Sequence, residues 1–155
     1  MGDSPTRKVL AMPTEHVRDL FRRLAEAMNS RQLEQLDDIL TDDFTRHCEA
    51  TPDVVIDSRE DFIEFLRAFT IVFPDNVQTF EQVVVEGDKA GFWATYQGTQ
   101  KGDLGPFPAS GRKTEFTFSG VAHIREGQIA EWWVTWDNMT ILGQLGHLPA
   151  PEPAG

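Results

Sequence analysis

The rhythm of apolar and polar positions changes near the middle of the chain. Val17, Leu20, Phe21, Leu24 and Met28 recur at helical spacing behind Thr14, a favoured N-cap residue, with Glu15 in the first turn. A second short helix carries Leu33, Leu36, Ile39 and Leu40, and "DFTRHCE" reads as a brief strand. Ser58 followed by Asp61 makes a capping box with Asp in place of Glu. The helix it opens presents Phe62, Phe65, Leu66 and Phe69 and is closed by Pro74. Beyond Pro74 the period is that of strands. "VQTFEQVVVEG", "AGFWATYQGTQ", "TEFTFSGVAHI" and "QIAEWWVTW" are β-branched and aromatic, separated by Gly or Asp-Lys turns, and a short helix "MTILGQL" comes last. Helices first and long strands afterwards predict an α+β domain. It is a curved antiparallel sheet with helices on one face, a cone whose open end is a pocket.

The last hairpin sets which residues share a face. With Arg125-Glu126-Gly127 as a three-residue loop and Gly127 left-handed, Ile124 pairs with Gln128. One face then carries Thr117, Ser119, Val121, His123, Glu131, Trp133, Thr135 and Asp137; the other carries Phe116, Phe118, Ala122, Ala130, Trp132, Val134 and Trp136. The mixed face reads as the pocket. The wholly apolar face is too large to leave wet and predicts a homodimer joined through the sheet. His123 and Asp137 do not form a dyad, because about 3.3 Å per residue separates them by roughly 26 Å in a flat sheet.

Length and charge narrow the class. The chain has 155 residues, 40% of them hydrophobic, which predicts one domain over residues 14–148 between a flexible leader, 1–13, and a disordered tail, 149–155. No apolar run reaches membrane-spanning length, and nothing resembles a signal peptide, so cytoplasmic is the default location. The formal net charge of −11 disfavours nucleic acid and anionic membrane surfaces as partners. The single cysteine, Cys48, sits between His47 and Glu49, where strand alternation makes a poor chelate. No metal and no cofactor are expected. "GDLGPFPASG" carries no Lys and opens no helix, so it reads as a hairpin loop that can serve as a lid. Asp137 has two readings at this point: an acid/base group in an aromatic wall, or the N-cap of the last helix.

"GRKTEFTFSGVAHIREGQIAEWWVTWDNMTILGQLG" resembles the SnoaL-like polyketide cyclases of the nuclear transport factor 2-like superfamily, as do "DDFTRHCE" and "SREDFIEFLRAF" in the front half. The resemblance implies a cone-shaped fold and a cofactor-free intramolecular aldol condensation, of lyase or isomerase type, on an aromatic or polyketide-like carbonyl substrate. It places the family's acid/base aspartate on Asp137 and its front-half histidine on His47. It makes Trp133, Trp93, Tyr96, Gln100 and His123 candidates for substrate binding. Where many members read Glu-His-Trp, this chain has Glu131-Trp132-Trp133, and Gln100 stands where many carry histidine. Epoxide opening by the same aspartate and a non-catalytic small-molecule-binding role are the alternatives in the superfamily.

Overall fold

The structure, a computed structural model, describes residues 13–149. The expected leader and tail fall outside the described residues, apart from Pro13 and Pro149 at their borders. Helix α1 (Thr14–Ser30) leads through a 3₁₀ segment (Leu33–Asp38) into strand β1 (Leu40–His47). Next come helix α2 (Arg59–Val72), strands β2 (Val77–Glu86), β3 (Lys89–Thr99), β4 (Lys113–Arg125) and β5 (Gln128–Trp136), and helix α3 (Asn138–Gln144). Thr14 is the first helical residue rather than the cap; Pro13 precedes it and offers no side-chain bond. Ser58 caps α2 as expected, its hydroxyl accepting from the Asp61 N–H at 3.0 Å, while the Asp61 carboxylate accepts from Asp57 N–H.

The strand order is β1-β5-β4-β3-β2. Three pairings are antiparallel, but β1 lies parallel to β5, so the sheet is mixed rather than antiparallel throughout. The 3₁₀ segment delivers the chain with Leu40 opposite Ile129, at the start of β5, and the two strands then run the same way. Helix α1 packs on β2, α2 on β1 and α3 on β4.

The β4–β5 turn corrects the expected register. The loop has two residues, Glu126 (φ 50°) and Gly127 (φ 80°), and Ile124 faces Ile129. Two positive φ angles match the twist of a tight hairpin, which a longer loop does not need. A bulge restores the predicted faces: Ala130 is the extra residue, so His123 faces Glu131, Val121 faces Trp133 and Ser119 faces Thr135. The faces keep their predicted members and exchange their roles. Phe116, Phe118, Ala122, Trp132 and Val134 are buried under the helices, whereas Thr135 and the other members of the mixed face look outward. The apolar stripes of α1 and α2 need an apolar partner, and Thr117, Ser119 and Thr135 would be costly to dehydrate against them. Phe21, Phe80, Phe92 and Trp132 join the layers, with the Phe21–Phe80 ring centroids 5.1 Å apart and Phe92–Trp132 5.3 Å apart. Full burial of a ring such as Phe21 contributes about 1.5–3 kcal/mol. Among the described residues no helix is long and apolar enough to cross a membrane.

Candidate active site

The helices and the inner face of the sheet do not close completely. Between α2 and β3–β5 lies a cavity of about 60 Å³, walled by Phe62, Phe65, Phe69, Phe116, Phe118, Trp132 and Trp136, with Met28 and Leu33 at one end. That volume holds about two waters. A second, open groove of about 470 Å³ adjoins it, bounded by residues 50–54, by Leu104, Gly105 and Phe107, and by Ile141 and Leu142 of α3. Phe65, Phe69, Phe116 and Trp136 belong to both and form the partition between them. Ligand sites run to about 300–1,000 Å³, so the cavity alone is too small for a drug-sized molecule, and one that reaches into it extends into the groove as well. Trp136 is the pinned member of the partition, because its Nε1–H donates to Asn138 Oδ1, and the Asn138 amide in turn donates to the Ala50 carbonyl.

Polar groups in the cavity are few. Tyr96 reaches it from β3, stacked on Phe116 with 5.0 Å between ring centroids, and its buried hydroxyl has no partner. Burial pushes the Tyr96 phenol above its ordinary pKa, so the hydroxyl stays protonated. Arg46 reaches it from β1 and is only 6% exposed. Its Nη2 donates to Thr51 Oγ1 at 2.7 Å, and its guanidinium lies 4.3 Å from the Phe65 centroid. Burial lowers the Arg46 pKa. Arg46 Nε and Nη1 and Trp132 Nε1 are further buried donors without a partner. None of the residues lining the cavity is Asp, Glu or His.

The residues expected at the site divide into four groups. Tyr96 alone is in the cavity. Trp133, Trp93, His47 and His123 are on the outer face of the sheet, contrary to expectation, because that face carries no helix. His47, Trp133 and His123 form a surface cluster: His47 Nε2 lies 2.7 Å from Glu131 Oε2, and the His47 ring stacks on Trp133 with 4.9 Å between centroids. His123 packs on Trp133 at 4.7 Å, and Trp93 is 51% exposed. Gln100 is fully buried but serves the loop. Its Nε2 donates to the Gly102 and Phe107 carbonyls, and its Oε1 accepts from Ser110 N–H and His147 Nε2. It thereby holds Phe107 of the expected lid at the edge of the groove.

Asp137 is exposed and stands outside the cavity lining. Its carboxylate caps α3, accepting from Met139 N–H at 2.9 Å, Thr140 N–H at 3.4 Å and the Thr140 hydroxyl at 3.0 Å. The structure thus gives Asp137 the second of its two sequence readings as its position. Among the described residues no group of three His, Cys, Asp or Glu side chains is placed to hold a metal.

Arg46 is the functional candidate that residue type alone does not reveal in the sequence. Its signal was present: Phe44 and Arg46 alternate inward along β1 while Thr45 and His47 face out. A cation standing at an apolar position of an alternating strand was the clue.

The architecture is that of a known class. The sequence profile of the SnoaL-like polyketide cyclases matches residues 18–145, and the chain belongs to that family. Among solved structures it is similar to TsrD from Streptomyces laurentii, with 28% identity, 88% of this chain and 99% of that one covered, and a TM-score of 0.80. IdmH from Streptomyces antibioticus, a candidate polyketide cyclase, shares 30% identity over 83% of this chain and 97% of its own, with a TM-score of 0.74. AclR from Streptomyces galilaeus, a candidate hydroxylase, has 20% identity over 87% of this chain and 98% of its own, TM-score 0.73, and shares the fold. A search of curated proteins finds no match.

Proposed function

We propose that the protein is a cofactor-free cyclase that closes a ring by intramolecular aldol condensation on an aromatic or polyketide-like carbonyl substrate. Family membership supports the reaction class, and the observation that carries this reading is the unpartnered Tyr96 hydroxyl buried in an aromatic cavity. The body of the substrate lies in the apolar groove, and its reacting end passes the partition. A 1,3-dicarbonyl brings its own nucleophile as the enol. Its carbon attacks the second carbonyl, the Tyr96 hydroxyl gives its proton to the forming alkoxide, and the enol O–H returns a proton to Tyr96. One C–C bond forms, one C=O becomes C–OH, and the phenol ends as it began. This assigns the proton relay to Tyr96 rather than to Asp137. Tyr96→Phe keeps the packing and removes the relay, so turnover of a synthetic aromatic 1,3-diketone with a pendant ketone should fall by about 10²-fold or more. Chromatography separates the cyclised isomer; unchanged turnover in the variant would sink the assignment.

The lack of a carboxylate or imidazole among the cavity-lining residues supports a second reading, a binding or accessory domain without turnover. Calorimetric binding of the same diketone with no isomer formed by the wild-type protein would select it. We also propose that the protein is a homodimer joined through the outer face of the sheet, where Trp93, Val121 and Trp133 are exposed.

A further inference from the structure

We propose that Arg46 is a carboxylate anchor, so that the ligand of this cavity is an aromatic or polyketide free acid rather than a neutral ester. The inference names the substrate class of the ring closure proposed above and rests on that reading for the chemistry after binding. Other arginines of the chain show what a purely structural one looks like. Arg31 donates to the carbonyls of Met28, Pro74 and Asn76, and Arg59 pairs with Asp37 and Asp42 and donates to the Leu40 carbonyl. Arg46 is 6% exposed, yet beyond its bond to Thr51 its Nε and Nη1 donors meet nothing. It has no ion pair among the described residues. A buried cation left in this state is costly, and replacing it with an apolar chain is often stabilising. Its retention makes sense when an anion completes it.

The surroundings narrow the anion. Every other residue lining the cavity is neutral, so one positive charge awaits one negative charge. A phosphate monoester would bring a second charge with no partner. Phe65 lies against the guanidinium at 4.3 Å and Trp136 at 5.9 Å, which suits a flat anion that continues into an aromatic body. About 60 Å³ accommodates the carboxylate and the edge of that body, and the remainder extends past Phe65 and Trp136 into the groove. Tyr96 lines the same cavity, its ring centroid 6.3 Å from that of Phe69, and so meets a carbonyl at the anchored end of the molecule.

Calorimetric titration with 2-naphthoate and with methyl 2-naphthoate compares an acid with a neutral ligand of the same shape. The wild-type protein should bind the acid about 10- to 100-fold more tightly, the range expected of hydrogen bonds to a charged group. Arg46→Met should bind both alike while melting, without ligand, no lower than wild type; Arg46→Lys should keep part of the preference. Equal or weaker binding of the acid by the wild-type protein overturns the inference, and that comparison needs no variant. A lowered melting temperature in Arg46→Met with the acid preference intact also overturns it, by making Arg46 structural. Acid preference without any cyclisation would leave the anchor standing and remove the ring closure; cyclisation of esters alone would do the reverse.

Discussion

At the end of an aromatic strand a carboxylate can move protons or hold a helix, and hydrogen bonds decide which it is equipped to do. Both oxygens of Asp137 are engaged by the first turn of α3. An N-cap aspartate contributes about 1 kcal/mol relative to alanine, and asparagine caps nearly as well. Asp137→Asn should therefore leave turnover of the diketone within about twofold and stability within about 0.5 kcal/mol, whereas Asp137→Ala should lose about 1 kcal/mol with turnover kept. Kinetics and thermal melting of the two variants check this. A hundredfold loss in Asp137→Asn with unchanged melting would return the acid/base role to that residue. The same scale shows why the site was only partly legible. Residue type drew attention to His47, but alternation sends it outward to Glu131 and its neighbour Arg46 inward. Chemistry-bearing side chains are visible in a sequence; the side of the sheet that receives the helices is a tertiary choice.

Elements were more legible because their periodicities are local. The helix stripes of α1 and α2, the Ser58 cap and the strands after Pro74 are all direct consequences of spacing. What spacing does not carry is curvature. The bulge at Ala130 and the positive φ of Glu126 reshape the β4–β5 ribbon without any strong turn signal beyond Gly127. Gly120 marks the tightest place in the same ribbon. A Cβ there would fall on the Trp133 carbonyl oxygen and come 2.9 Å from Phe92 Cζ. The obstacle is neighbouring backbone, which cannot rotate away, so β4 could admit a side chain only by flattening against β5. Gly120→Ala should cost about 3 kcal/mol, the upper part of the range for overpacked sites. Urea denaturation reads that loss directly, and an alanine variant as stable as wild type would show that curvature does not depend on this contact.

For the whole molecule, the inner face of the sheet is satisfied by its own helices, and the outer face is left to solvent with Val84, Trp93, Val121 and Trp133 exposed on strands β2 to β5. A second copy would cover it symmetrically, since a two-fold axis places the same strands of each chain on one another. Two terms oppose each other. Burying the tryptophans favours association, and an obligate interface of this type covers on the order of 2,000 Å² in total. Bringing together two chains of formal charge −11 resists it, over a screening length of about 8 Å at physiological salt. The dimer should consequently tighten as salt rises, the opposite of an interface built on ion pairs. Sedimentation at micromolar concentration should show a dimer at about 0.5 M salt and a weaker one at about 0.02 M, where screening is far weaker. The double substitution Trp93→Glu with Trp133→Glu adds charge to the face without touching the cavity, so it should give a monomer that still binds ligand. A wild-type protein that sediments as a monomer at both salt concentrations would leave this face a solvated one and remove the dimer from the account.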